Sequence, residues 1–461
     1  MTNVAALPRP MNRRSFVSSL AVAGAAVATG RRLLAAADAP KPRVGLIGCG
    51  WYGGVNLGVF ARCTEMNVVS LCDVNRRSLE TTLKQVARHQ SSVPRTFADY
   101  REMLASSAHD IVLVATPDHW HALPALAAIQ AGADVYLEKP IGVDVIEGEA
   151  LVAAARKYNR VVQVNTQRRS NPLYAEAREK YIASGRLGKI GVVETYSYLH
   201  GRPRGVIPDA AVPAHLDFEV WAGPAPKLPY KAMLEDRGWR NFQEYGNGQI
   251  GDLGVHMLDK VRWLLGLGWP QSVVSTGGIL ADRPPYTSNI TDTQRSVFRY
   301  PGLEVSWEHR TWGASPIPQR HWSDQWGARL IGDQGTLNLT MLECVFTPAD
   351  GGPREGRHLL SKSGDLANID FNQGGNAYEE TENRHVQDFL QARQNRSRPV
   401  ADIEEGHISS AMCELANLSL QLGRPVAYDP KTRSVPGDAE ATRLLARPYR
   451  GPWEHPDPTR V

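Results

Sequence analysis

One turn constrains this chain more than any other feature: Gly48-Cys49-Gly50-Trp51-Tyr52-Gly53, placed directly after the apolar run Arg43-Val44-Gly45-Leu46-Ile47. Glycines at this spacing permit a tight strand-to-helix turn, let the backbone approach a pyrophosphate, and seat the helix closely on the strand. The helix N-terminus, with Trp51 and Tyr52 between the glycines, adds partial positive charge for the phosphates. Asp73 follows 20 residues after Gly53, at the end of the next apolar run. A carboxylate there accepts both hydroxyls of a ribose and repels a 2′-phosphate, which favours NAD. Arg76 and Arg77 beside it keep NADP open.

Further short apolar runs at 111–115, 134–137 and 161–164 are separated by helical lengths and bounded by turn residues. That alternation predicts a doubly wound parallel sheet. Beyond Asn165 the pattern changes. Runs at 190–199, 271–279, 293–300, 303–312, 328–331 and 336–340 read as strands, several joined by short turns such as Tyr300-Pro301-Gly302. Hairpins of this kind predict a large, mostly antiparallel open sheet. The fold class expected is therefore α/β, with a dinucleotide domain over 38–164, a substrate-binding and catalytic α/β domain over 165–430, and a proline-rich extension over 431–461. The segment 361–375 is the best candidate for a mobile loop.

Residues 1–37 read as a leader. Asn12-Arg13-Arg14-Ser15-Phe16-Val17 is close to a twin-arginine export signal, followed by a weakly apolar run and Ala35-Ala36-Ala37. The run is too short and too rich in alanine and glycine for a stable membrane span. Twin-arginine export machinery is thus an expected partner, with a periplasmic or otherwise exported location. The net charge of +4 belongs to this leader: without its five arginines, 47 Lys+Arg face 48 Asp+Glu. Nothing in the remainder suggests a nucleic-acid footprint. The five cysteines show no ligand spacing, and no metal site is expected.

Two more motifs narrow the reading. Thr116-Pro117-Asp118-His119-Trp120-His121 follows one expected strand and Glu138-Lys139-Pro140 the next, with Gly251-Asp252-Leu253-Gly254-Val255-His256 further on. In this order the set resembles the Gfo/Idh/MocA family of oxidoreductases, over roughly residues 42–430. The resemblance implies a Rossmann domain followed by an α/β domain that carries the substrate on one face of its open sheet. It implicates Thr116, Pro117, His121, Glu138, Lys139 and Pro140 in cofactor contacts, and, less directly, Gln167 and Arg168. His119 and Trp120 remain open between cofactor contact and loop packing. The block 215–224 resembles an insert of exported bacterial members that helps form the pocket or an oligomer contact.

Oxidising a secondary alcohol requires a base for the hydroxyl proton while hydride leaves the carbon. The segment 250–265 predicts a helix ended by glycine at 266 or 268. Asp252, His256, Asp259 and Trp263 then form a stripe able to face a cleft, with the Asp252 carboxylate one turn from the His256 imidazole and able to orient it. The resemblance implies that His256 is the general base and that Lys139 assists proton transfer. Asp252 is expected as orienting and substrate-binding partner. Tyr245 and Asn247, just before this helix, and His309, on the strand 305–312, are candidates to touch substrate. Eleven tryptophans, four of them between 307 and 326, suit either sugar stacking or core packing.

Three function classes follow. The first is an NAD(P)-dependent oxidoreductase acting on a secondary hydroxyl of a sugar, glycoside or cyclitol with tightly held cofactor. The second is a redox-neutral glycosidase or lyase that works through a transient keto-sugar. The third, a non-catalytic sugar-binding protein, is disfavoured by the intact Lys139, Asp252 and His256. The broad open sheet predicts a homo-oligomer, dimer or tetramer.

Overall fold

A computed structural model describes residues 40–199, 201–318, 321–359 and 379–461. The expected leader over 1–37 and the expected loop over 361–375 lie outside the described residues.

Six parallel strands form the first sheet: β1 (Arg43–Ile47), β2 (Asn67–Cys72), β3 (Arg95–Phe97), β4 (Ile111–Val114), β5 (Asp134–Leu137) and β6 (Val162–Val164). Their order is β3-β2-β1-β4-β5-β6, the arrangement that opens a crevice between β1 and β4 at the carboxyl ends of the strands. β4 is apolar throughout, β5 apart from its first residue Asp134, and both are buried at every residue, because helices cover both faces of a parallel sheet. Those helices are α1 (Trp51–Cys63), α2 (Arg76–Val86), α3 (Tyr100–Ser106), α4 (Ala122–Gln130) and α5 (Val145–Lys157). β3 was not anticipated from sequence. It is a three-residue edge strand, Arg-Thr-Phe, with no buried position to create a pattern.

The second sheet has eight strands: β7 (Ile190–Ser197), β8 (Ser272–Gly278), β9 (Thr293–Tyr300), β10 (Leu303–Arg310), β11 (Trp326–Gly332), β12 (Gly335–Thr340), β13 (Glu343–Pro348) and β14 (Glu355–His358). Their order is β14-β13-β12-β11-β7-β10-β9-β8. All neighbours are antiparallel except β7 and β10, which run parallel. Alternating burial along β9 and β10 leaves one face in the core and one towards solvent. α6 (Val255–Leu265) packs on the core face and stops at Gly266, whose φ of 65° is the left-handed cap that glycine adopts freely.

The chain does not finish in the second half. α7 (Glu379–Asn395) returns to the first sheet, where Phe389 packs edge-on against Phe60 and Tyr136. α8 (Ile403–Leu422) buries Ile403 in the first sheet's core and Ala411, Met412 and Leu415 in the second's. Among the described residues no helix is long and apolar enough to cross a membrane.

Candidate active site

At the carboxyl end of β1 each motif glycine meets a different demand. Gly48 has φ 92°, and a Cβ there would lie 2.5 Å from the main chain of Ala115. A Cβ on Gly53 would lie 2.0 Å from the Gly48 carbonyl oxygen, so the helix is seated tightly on the turn. At Gly50 a Cβ would meet nothing within 4 Å. That open side faces a cavity of about 1010 Å³ lined by Gly48, Gly50, Trp51, Tyr52 and Asp73. α1, with Gly50 as its N-cap, has no acidic side chain in its first turn, so its dipole favours an anion. Asp73 accepts from the backbone N–H of Cys49 at 2.7 Å and of Asn75 at 2.8 Å. Burial nevertheless raises its carboxyl to about 6.

The loops after β4 and β5 close over the same cavity, to which Thr116, Pro117, His121, Glu138 and Lys139 contribute. Glu138 is buried and accepts from the side-chain amides of Asn56 (2.7 Å) and Asn165 (2.6 Å), which anchors the loop that carries Lys139. The His121 ring bridges the carbonyls of Thr116 and Pro140, tying the two loops together. Pro140 and Gly53 support the wall without lining it. Gln167 donates to the Tyr52 hydroxyl at 3.1 Å, and the Arg168 guanidinium lies 5.2 Å from the Trp326 ring centroid. Thr116 Oγ1, Gln167 Oε1, Arg168 Nε, Gln249 Oε1 and His256 Nδ1 are buried polar atoms without a hydrogen-bond partner, all on residues lining this cavity. Orphaned groups converging on one space beside an open glycine cradle fit a large polar ligand such as a dinucleotide with a substrate.

Deeper in the cavity stand Lys139, Asp252, His256 and Arg240. Lys139 Nζ donates to Asp252 Oδ1 at 2.8 Å and to the Asp252 carbonyl at 2.7 Å. Arg240 Nε lies 3.1 Å from the same carboxylate oxygen and stacks on the Trp239 ring. Burial pushes the Asp252 carboxyl up, but Lys139 and Arg240 outweigh it and hold the group well below the usual carboxylate range. His256 is driven well below the usual imidazole range by burial, then by the charges of Lys139 and Arg168, against partial opposition from Asp252. These influences favour the neutral imidazole over the imidazolium. Asp118 is raised to about 8 by burial, with Arg240 and Lys139 partly countering.

Several expectations need correction. The stripe over 250–265 is not one α-helix: Ile250–Gly254 form a wider π-type turn before α6 begins at Val255. Asp252 and His256 still face the cavity, but Asp259 is buried in an ion pair with Arg169 and Trp263 packs beneath Arg178. Asp252 does not hydrogen-bond His256, since its carboxylate is taken by Lys139 and Arg240 and His256 Nδ1 has no partner. None of the three substrate candidates lines the cavity. Tyr245 is fully buried among Phe242, Trp221 and His119, its hydroxyl accepting from Leu228 N–H. Asn247 accepts from Arg447 and donates to the Val143 carbonyl. His309 accepts from the Trp307 indole, because the face of β10 carrying both is the core face. His119 packs on Trp221, whereas Trp120 does reach the cavity. The insert over 215–224 contributes Val220 and Trp221 to the wall and is stitched to the loop after β2 by Arg76 N–H to the His215 carbonyl. Sequence reasoning missed Asp118, Arg240 and Trp453 as cavity residues. Asp118 had been quoted inside a motif, while the other two carried no local signal.

Comparison with known proteins settles the family. Residues 42–166 match the model of the oxidoreductase family, NAD-binding Rossmann fold, and residues 195–281 and 365–455 match that of its C-terminal alpha/beta domain. The chain belongs to the Gfo/Idh/MocA oxidoreductase family. Its first sheet is that family's NAD-binding Rossmann domain. Among curated relatives of the Gfo/Idh/MocA chain, levoglucosan dehydrogenase of Pseudarthrobacter phenanthrenivorans is 30% identical over 171 residues, 37% of this chain and 36% of that one. A glycosyl hydrolase family 109 protein of Shewanella baltica is 25% identical over 171 residues, 32% of this chain and 37% of that one. The chain thus spans little more than a third of the length of these relatives. A solved levoglucosan dehydrogenase, in complex with NADH and levoglucosan, superposes with a TM-score of 0.62 at 18% identity, covering 84% of this chain and 99% of that one. At that identity the likeness is one of fold.

Proposed function

We propose that this protein is an NAD-dependent oxidoreductase acting on a secondary hydroxyl of a sugar, glycoside or cyclitol, with the cofactor tightly held. The observation that carries this reading is a single cavity with two chemically distinct ends. Gly48, Gly50 and Asp73 form a dinucleotide cradle at one, and Lys139, Asp252 and a neutral His256 cluster at the other. Bound NAD supplies the hydride acceptor at its nicotinamide. His256 takes the proton of the substrate hydroxyl. Lys139, fixed by two bonds to Asp252, presents its remaining N–H to the substrate oxygen and steadies the charge that builds there. Asp252, itself paired with Arg240, holds Lys139 in place, and Trp326 and Leu253 line the same cavity. The levoglucosan relative supports a carbohydrate substrate. The test is to denature the purified protein, measure released nucleotide, and assay a panel of sugars and glycosides for keto products. A protein that neither holds nucleotide nor oxidises any panel member overturns the reading.

A second reading, redox-neutral cleavage of a glycoside through a transient keto-sugar, draws on Asp118. Elimination of an anomeric group is helped by a proton donor, and a carboxyl raised to about 8 beside Lys139 and Arg240 keeps its proton at neutral pH. The family 109 relative points the same way. Release of aglycone from a nitrophenyl glycoside without net NADH, lost in Asp118→Asn, distinguishes this reading. Export through the twin-arginine route remains part of the proposal, since a pre-seated cofactor suits an enzyme that works outside the cytoplasm.

A further inference from the structure

The segment after Ala446 has no regular structure, yet it is tied down at Arg447, Tyr449, Arg450 and His455. Arg447 N–H donates to Asp144 at 2.8 Å, and its guanidinium bonds the Gln243 carbonyl and Asn247 Oδ1, both at 2.6 Å. Tyr449 bonds Glu147. Arg450 N–H donates to the Pro224 carbonyl at 2.7 Å, and its guanidinium to Gly223 and Glu219. His455 bonds Asp144 at 2.8 Å. His455, Asp144, Glu147 and Tyr449 thus form a hydrogen-bonded clasp. These anchors join the start of α5, the insert over 215–224 and the loop before the catalytic turn.

Between the anchors, Trp453 is half-buried and forms part of the cavity wall. Arg450 covers its ring at 5.3 Å, and its centroid lies 5.7 Å from that of Trp120, edge to face. Trp120, whose indole N–H is held by the Val220 and Trp221 carbonyls, in turn meets Tyr100 at 6.0 Å. Tyr100 opens α3 just after β3, where the Asp73 N–H donates to the Phe97 carbonyl. Trp453 therefore closes an aromatic row on the side of the cavity that Asp73 marks as the adenosine end.

We propose that the segment 447–455 is a strap that retains the dinucleotide, with Trp453 as a binding residue for its adenosine half. This rests on the NAD reading above. A large aromatic face against a flat base contributes through stacking and through excluded water. A strap fixed at both ends presents that face without paying to order it on binding.

The experiment compares the full-length protein with Trp453→Ala and Trp453→Phe, following NAD dissociation by stopped-flow fluorescence and equilibrium binding of ADP-ribose and of nicotinamide mononucleotide. Trp453→Ala should release NAD roughly 10-fold faster and weaken ADP-ribose by the same factor, with nicotinamide mononucleotide unchanged and Phe restoring most of the loss. Unchanged ADP-ribose affinity in Trp453→Ala, or an equal loss for both half-ligands, overturns the assignment. If the parent itself binds neither NAD nor ADP-ribose, the cofactor reading has failed and the strap with it. Matching thermal melting of parent and Trp453→Ala excludes a folding defect.

Discussion

The ammonium of Lys139 is bound twice to one residue, to the Asp252 carboxylate at 2.8 Å and to the Asp252 carbonyl at 2.7 Å. A lysine held this way has lost the freedom of its long stem and retains a single N–H to offer a substrate. After burial, its charge is the next largest influence that lowers the His256 imidazole. One side chain thus bears on both members of the proposed proton-transfer pair.

Removing either group should expose that coupling. His256→Ala and Lys139→Ala should each lower kcat by roughly 10²–10⁴ with NAD affinity nearly intact, the range for loss of a positioned acid or base. The double variant should lose less than the product of the two, because both act on one proton transfer. Steady-state kinetics of the three proteins check this. A single variant at full rate removes that residue from the chemistry.

Asp252→Asn removes a carboxylate that partly offsets the positive charges around His256. Lys139 should become mobile and the imidazole should resist protonation further. The expected outcome is a large fall in kcat with a smaller change in KM. The acidic limb of the pH–rate profile should move to lower pH, because the Asp252 charge that favoured the imidazolium is gone.

Asp73 gives a pH dependence for cofactor binding. Its carboxyl is raised to about 6 by burial, and only the ionised form accepts both ribose hydroxyls. NAD affinity should be highest above pH 6 and fall as pH drops through it. Asp73→Ala should weaken NAD and narrow its preference over NADP, with hydrogen bonds to a charged group contributing on the order of 1.5–3 kcal/mol. Calorimetry at pH 5 and 7.5 reads both effects, and equal NAD affinity in variant and parent rejects the assignment.

The C-terminal clasp should weaken in alkali. Burial lowers the His455 imidazole, but the hydrogen bond and charge of Asp144 and the charge of Glu147 outweigh it and leave it raised. Glu147 is pushed up by burial and by Asp144, against Tyr449 and His455. Arg447 and Glu414 complete the ring of charges around them. Groups raised on folding contribute fully below their unfolded values and lose that contribution as pH rises through the folded ones. Proteolysis or hydrogen exchange of the segment 447–461 should therefore increase from pH 6 to 9, and His455→Phe should flatten the profile.

Exchange of Arg13 and Arg14 for lysine tests the export proposal. It should leave active, NAD-loaded protein in the cytoplasm and none in the periplasm, whereas the parent isolated from the periplasm should turn over without added NAD. Export of the variant at the parent's level ends the twin-arginine reading.

Much of this was legible in the sequence for identifiable reasons. The glycine turn, Asp73 and the motifs around Thr116 and Lys139 are local: their spacing fixes which strand end they occupy. β13 and β14 were not seen because Glu343 and the Glu-Gly-Arg-His of β14 break the apolar alternation, although pairing with β12 makes both strands. Tyr245 and Asn247 stand close to the catalytic turn in sequence. Which way they point is decided by Trp221 and Arg447, respectively 24 and 200 residues away in the chain. Arg240 lies in a single short 3-10 turn (Gly238–Asn241) and Trp453 in an irregular segment, both too short or unpatterned for periodicity to report on facing.

Phe389 sits with no exposed surface against Phe60 and Tyr136, so a helix that follows β6 by more than 200 residues completes the core beneath the glycine turn. A nascent chain that has emerged only through β6 has its motif but an unfinished floor under it. The core beneath the cradle is accordingly complete only once α7 has packed against it. A product truncated before α7 would leave Phe60 and Tyr136 without this cover.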